Sequence, residues 1–277
     1  MTSRIDGRVA LVTGAGRGLG RSHALTLASA GAAVVINDLG AELDGKGSDP
    51  VPAREVVSAI TETGGRAVTD GSDVSSLDGG RRAVQAAVDG FGRVDIVVNN
   101  AGFSHGGGEL EDPSQEELDM LFGVHYFGPL GVMSAALPHM RRNGYGRIVN
   151  TVTDVALDAR EAYGFAYGAA KAALWSATLG IAKQVSGQGI TVNAISPGAR
   201  TRLTAEFIDR DFRGGVASGL DLSPEHVSRV VAYLCTEDAG DITGRVIHAV
   251  GGVIREYTTT RTSKSDLVDR FAVAIVS

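Results

Sequence analysis

Tyr167-Gly168-Ala169-Ala170-Lys171 sets a phenol and an ammonium four residues apart. On a helix that spacing puts both groups on one face, a few ångströms from each other. A cation so close favours phenolate and draws the tyrosine pKa down from about 10 toward the range useful for proton transfer. An exposed helix surface carries the same pair without any chemistry, so its meaning depends on what surrounds it.

A second cluster lies near the start of the chain. An apolar run from Arg8 to Val12 meets Thr13-Gly14-Ala15-Gly16-Arg17-Gly18-Leu19-Gly20, and small or apolar residues then continue to Ala30 and stop at Gly31. This reads as strand, glycine turn and helix. Such a turn lets a helix N-terminus approach a pyrophosphate, whose charge is stabilised by unpaired N–H groups and the helix dipole. The pattern is not the G-x-G-x-x-G fingerprint, and a glycine cluster alone also makes an ordinary tight turn. Asp38 ends the next apolar run, 18 residues after Gly20, where a carboxylate can accept hydrogen bonds from both adenosine ribose hydroxyls and repel a 2′-phosphate. Arg17 inside the turn pulls toward the phosphorylated cofactor. The carboxylate stands closest to the 2′ position, so the expected cofactor is NAD.

Three weaker signals accompany these. Asp73-Val74 can hold adenine by one side-chain hydrogen bond and one apolar face, or be a plain turn. Asn99-Asn100-Ala101-Gly102 and Pro197-Gly198 each follow an apolar run, at the sheet edge where open α/β folds bind ligands. The asparagines equally suit a role in tying strand ends together.

The elements that must position these residues can be read from periodicity. Short runs at Ala33–Ile36, Ala67–Thr69, Val94–Val98, Arg147–Thr151, Ile190–Ile195 and Val246–Val250 join the first strand, and Ala33–Ile36 is apolar and partly β-branched, as a strand buried on both faces should be. Helical spacing separates them: Val56, Val57 and Ile60; Leu77 through Phe91; a helix from the capping box Ser114-Gln115-Glu116-Glu117; one around Tyr167 to Val185; and one begun by Ser223-Pro224-Glu225 with Ser as cap. Alternating strands and helices predict an α/β fold, a single doubly wound (Rossmann-like) parallel sheet of about seven strands with helices on both faces. Residues 1–252 form the NAD-binding domain and 253–277 a C-terminal extension, in which Leu267, Val268, Phe271, Ala272 and Ile275 recur at the spacing of a short amphipathic helix.

Composition narrows the partners. Among 277 residues, 43% are hydrophobic and 21% charged, and 38 are glycine, about twice the usual share of roughly 7%; the excess asks for turns and close ligand approach. A net charge of −6 and a pI near 5.5 argue against nucleic acid or an anionic membrane. The one cysteine, Cys235, permits neither an internal disulfide nor a cysteine metal cluster, and no metal is expected. With no signal-like opening and no run of 18 apolar residues, the expectation is a cytoplasmic protein acting on a small molecule.

The glycine turn, the acidic strand end, Asn-Asn-Ala-Gly, Tyr-x-x-x-Lys and Pro-Gly occur in that order, and over residues 7 to about 252 the chain resembles the short-chain dehydrogenase/reductase family. The resemblance implies that Tyr167 is the catalytic acid/base, that Lys171 also binds the nicotinamide ribose, that residues near 195–201 contact the nicotinamide, and that the protein is a homo-oligomer, commonly a tetramer. Two positions depart from the family. The family serine thirteen residues before the tyrosine is here Asp154; matching the strand instead puts Thr153 in that slot, and Thr153 is preferred because its hydroxyl can be offered to a substrate oxygen. His125 stands where most members have an asparagine that helps carry a proton relay. The 3-hydroxyacyl-CoA dehydrogenase unit of peroxisomal multifunctional enzyme type 2 also has histidine there and a similar long loop after the acidic residue, and it is the most similar subgroup. Oxidation of a 3-hydroxyacyl-CoA by NAD is therefore the leading expectation. A hydroxysteroid dehydrogenase or carbonyl reductase, and a non-catalytic NAD-binding regulator, are the alternatives. Arg200, Arg202, Arg210 and Arg213 can meet CoA phosphates, but Glu206, Asp209 and Asp211 interleave with them and favour a solvated loop.

Overall fold

The computed structural model describes residues 5–103, 110–156, 164–205 and 220–258. Strands β1 (Val9–Thr13), β2 (Ala33–Asn37), β3 (Arg66–Asp70), β4 (Ile96–Asn99), β5 (Gly146–Thr151), β6 (Ile190–Gly198), β7 (Val246–Val250) and β8 (Val253–Glu256) form one sheet. Their order is β3-β2-β1-β4-β5-β6-β7-β8, so the direction of winding reverses between β1 and β4. The parallel doubly wound fold expected from the sequence is the one observed. An eighth strand, antiparallel to β7, adds to the seven expected and lies in the segment assigned to the extension. The amphipathic stripe at 267–275 lies outside the described residues.

Helices α1 (Gly18–Ser29), α2 (Val51–Glu62), α3 (Leu77–Phe91), α4 (Gln115–Phe122), α5 (Gly128–Asn143), α6 (Gly164–Gln184) and α7 (Pro224–Leu234) cover the two faces. β1, β2, β4 and β5 are buried along their whole length, as strands covered on both sides must be. One core packs Leu11, Val97, Ile148 and Val192 beneath α3, α5 and α6; the other packs Val12, Ile36, Val98 and Ile195 beneath α1, α2 and α7. At an order of 1.5–3 kcal/mol for each large buried side chain, these two layers hold the strand ends rigid. α1, which carries the glycine turn, is pinned to α7 by buried polar contacts: His23 Nδ1 lies 2.8 Å from Ser228 Oγ, which donates to Ser22 Oγ at 2.8 Å. Burial pushes His23 down to about 3, so it is neutral there.

Two caps behave differently from each other. Ser114 accepts from Glu117 N at 3.3 Å and starts α4, as its capping-box spacing predicts. Ser223 precedes Pro224 but makes no side-chain cap bond; its own N–H is taken by Asp221 Oδ1 at 2.9 Å. From Gln115 to Asn143 the chain runs as one helical rod of 29 residues, long and apolar enough to cross a membrane by composition. Val132, Met133, Ala136 and Met140 on it are fully buried in the core, which accounts for its apolar content. The rod is broken at Gly123–Phe127 by a single π-helical turn, a feature that often marks functional sites. The rod presses closely on the chain after β3, where a Cβ on Gly128 would sit 1.8 Å from the carbonyl oxygen of Val74. His125 lies in that turn.

Candidate active site

Tyr167, Lys171, Thr153, His125, Asp38, Asp73, Asn100 and the glycines at 14, 18 and 20 line one cavity of about 750 Å³ at the C-terminal ends of the strands. Its first half is built on β1. Gly14 and Gly18 have φ of +62° and +52°, which glycine adopts without strain, and a Cβ on Gly20 would lie 2.0 Å from the Gly14 carbonyl oxygen. The turn therefore closes only with glycine. Asn100 ties it to β4: its Nδ2 donates to the carbonyls of Thr13 and Gly14 at 3.0 and 3.1 Å, and the N–H groups of Asn100 and Ala101 donate to Thr13 Oγ1 at 3.0 and 3.1 Å. At the mouth of α1, Arg17 makes no cap bond and the first turn holds no acidic residue. The orphan N–H groups there suit a pyrophosphate.

Asp38, just past β2, accepts from Gly16 N and Gly40 N, each at 2.6 Å, and its half-buried carboxylate keeps lone pairs for ribose hydroxyls. Arg17 does not face a 2′ position freely. Its guanidinium donates to Ala41 O at 3.3 Å and lies 3.8 Å from Asp49 Oδ2. Asp73, Val74, Gly102, Leu19, Pro197 and Gly198 complete this part of the wall; Asp73 Oδ1 also accepts from Ser75 N at 2.9 Å, as in a turn. The donor set and the uncapped helix end fit a nicotinamide dinucleotide.

The second half is built on α6. Tyr167 and Lys171 share a face, with Lys171 Nζ 6.0 Å from the phenol ring centroid. Lys171 is buried and donates to Thr151 O at 2.8 Å; burial pushes its pKa from 10.5 down to about 7. The His125 ring stands edge-on to Tyr167, with centroids 5.3 Å apart and planes at 89°. His125 Nε2 donates to Phe103 O at 2.7 Å, which leaves Nδ1 as an acceptor. Burial first, and then the charge of Lys171, push His125 well below its usual pKa, so the imidazole is neutral. A Cβ on Gly102 would lie 2.5 Å from its Cε1: only glycine lets the strand end rest on that ring.

Thr153 and Asp154 both line the cavity, with Thr153 Oγ1 3.4 Å from Asp154 Oδ1. A carboxylate only accepts hydrogen bonds, whereas a hydroxyl can donate to the oxygen of a ketone or alkoxide. Thr153→Ala is expected to lower kcat by about 10²–10³, the usual loss for one such donor, and Asp154→Ala by much less. The opposite ranking in steady-state kinetics would give the oxygen contact to Asp154.

Two parts of the wall were missed in the sequence. The Gly/Pro-rich segment after Asp38 forms a strap over the cavity rather than a mere connection. Arg202 Nη2 donates to Ala41 O at 3.2 Å and its Nη1 approaches Glu42 Oε2 at 3.4 Å, while Gly45 faces the Phe103 ring. Arg202 thus serves the strap; Arg210 and Arg213 lie outside the described residues. The second part comes from β7, β8 and the residue after them: His248, Arg255 and Tyr257.

Residues 14–254 match a short-chain family model described as Enoyl-(Acyl carrier protein) reductase. A short-chain type dehydrogenase/reductase of Mycobacterium tuberculosis is 40% identical over 90% of this chain and 83% of its own length. The peroxisomal multifunctional enzyme type 2 of Mus musculus is 38% identical over 84% of this chain, which spans 30% of that longer protein. A (2S)-[(R)-hydroxy(phenyl)methyl]succinyl-CoA dehydrogenase subunit of Thauera aromatica is 34% identical over 90% of this chain and 97% of its own. The crystal structure of a short chain dehydrogenase from Mycobacterium avium superposes with a TM-score of 0.79 at 37% identity, covering 98% of this chain and 95% of that one.

Proposed function

The chain belongs to the short-chain dehydrogenase/reductase family, an oxidoreductase family, and from that membership we propose that it is an NAD-dependent enzyme interconverting a secondary alcohol and a ketone, with a 3-hydroxyacyl-CoA as substrate. The observation that carries the reading is the grouping of Tyr167, Lys171, Thr153 and His125 at one end of a cavity whose other end is the uncapped α1 turn and Asp38. A bound nicotinamide dinucleotide supplies the hydride acceptor or donor. In the oxidative direction the Tyr167 phenolate takes the hydroxyl proton as the carbinol carbon gives up its hydride, and Thr153 donates to the substrate oxygen. Lys171, whose burial holds its pKa near 7, stands beside the phenol and in its charged form stabilises the phenolate. Neutral His125 offers Nδ1 as an acceptor behind the phenol, where the family relay residue stands. Presence of both Tyr167 and Lys171 speaks against a non-catalytic regulator.

The acyl-CoA assignment is supported by similarity to the Thauera dehydrogenase, whose name describes a CoA thioester bearing a secondary alcohol. Turnover of 3-hydroxyacyl-CoAs against hydroxysteroids with NAD⁺ tests it: selective turnover of steroids overturns the acyl-CoA reading. A cytoplasmic homotetramer is the setting we propose, in keeping with the single buried cysteine, whose thiol burial pushes up to about 12.

NAD preference follows from Asp38, since a 2′-phosphate beside its carboxylate meets like charge and Arg17 is already engaged by Ala41 and Asp49. Asp38→Ala is expected to weaken NAD(H) by about 10- to 100-fold, the loss of hydrogen bonds to a charged group, and to narrow the gap to NADP(H). Tighter NADP(H) than NAD(H) binding by the unaltered protein overturns the preference.

A further inference from the structure

Tyr167, Lys171 and Trp175 follow one another at four-residue intervals along α6; the first two line the cavity, and Trp175 is buried in the core beside it. Trp175 stands two turns on, roughly 12 Å along the axis at 1.5 Å per residue. The Tyr257 ring packs on it with centroids 5.4 Å apart, and on His248 at 5.9 Å. His248 pairs directly with Arg255 across the β7–β8 ladder, so the two side chains share a face, and both line the cavity. These residues share one cavity with Tyr167 and Lys171, and the Trp175–Tyr257 contact ties them to α6 two turns beyond the phenol.

Four lysine and arginine side chains line the cavity among the described residues. Lys171 is buried against Thr151. Arg17 is taken up by Ala41 and Asp49, and Arg202 by Ala41 and Glu42. Among the described residues Arg255 has no such carboxylate or carbonyl partner, and the neighbouring acid, Glu256, is engaged by Arg245 at 2.8 Å. In a chain with a net charge of −6, an uncompensated guanidinium at the mouth of the cleft attracts anions, and its fork geometry suits phosphate and carboxylate.

We infer that Arg255 is a specificity-determining residue that binds an oxyanion, a phosphate or carboxylate, carried by the substrate at a distance from the carbinol. The inference rests on the secondary-alcohol reading above and deepens it. On this reading a thioester tail, or an acyl chain with a distal carboxylate, carries the oxyanion that Arg255 binds. The apolar walls at Leu220 and Leu222 suit the methylenes in between.

The test compares the unaltered enzyme with Arg255→Ala and Arg255→Lys on three substrates: a neutral 3-hydroxyacyl-CoA, the N-acetylcysteamine thioester of the same acyl group, and that thioester with a terminal carboxylate on the acyl chain. Arg255→Ala is expected to raise KM about five- to tenfold for the substrate whose oxyanion it binds, with kcat unchanged, and Arg255→Lys to restore part of the loss. A rise for the CoA ester alone identifies a CoA phosphate; a rise for the carboxylated thioester alone identifies the acyl carboxylate; the neutral thioester should not respond. Equal changes on all three, or none, overturn the role of Arg255 while leaving the acyl-thioester reading standing. If no thioester turns over, that reading falls and the Arg255 assignment with it.

Discussion

Tyr167→Phe is expected to leave a folded protein that binds NAD(H) normally and turns over a secondary alcohol about 10²- to 10⁴-fold more slowly, the range for loss of a general acid/base. The substitution removes one oxygen and keeps the ring. Packing edge-on against His125, at 5.3 Å between centroids, is preserved, and the cofactor half of the cavity is built on other elements. The melting temperature and the NADH affinity, followed by fluorescence, should therefore match those of the unaltered protein while kcat falls. A kcat within tenfold of the starting value would show that the proton travels by another group.

That residue was legible in the sequence because its chemistry depends on local spacing. Tyr167 and Lys171 are neighbours on any helix, and the glycine turn and Asp38 are fixed by the strand-turn-helix unit that contains them. The same holds for the strands: β1, β2, β4 and β5 are continuous apolar runs because both faces are buried, and such runs stand out. What stayed hidden depends on contacts between distant segments. Residues 39–52 read as a Gly/Pro-rich loop, and only the folded chain shows Arg202 reaching 160 residues back to Glu42. β8 is exposed along its whole length, so it lacks the apolar run that announces a buried strand, and nothing in its local sequence singles out Arg255. The π turn at Gly123–Phe127 is invisible to a 3.6-residue period, yet it carries His125, the residue between Phe103 and Tyr167.

Lys171 carries the second large effect, and it separates a charge role from a packing role. The Met variant keeps the length and apolar body of the stem but loses the ammonium, so the developing phenolate is no longer stabilised, and kcat should fall by about 10²- to 10³-fold, as for loss of a preorganised charge partner. Stability should respond with pH in a defined direction. Burial holds Lys171 near 7 in the folded protein against 10.5 in the unfolded chain. Between those values the unfolded chain binds a proton that the folded one has released, so this group makes stability rise with pH across that window. Below about 7 both states are protonated, and the buried charge exerts its full destabilisation. Lys171→Met has no such group, although it leaves Thr151 O without its donor. The difference in melting temperature between the two proteins cancels the titrations they share, and it should shift in favour of the unaltered protein as the buffer goes from about pH 6 to about pH 10. A difference that stays constant across that range would mean that Lys171 keeps its ordinary pKa, and the poised amine beside Tyr167 would have to be abandoned.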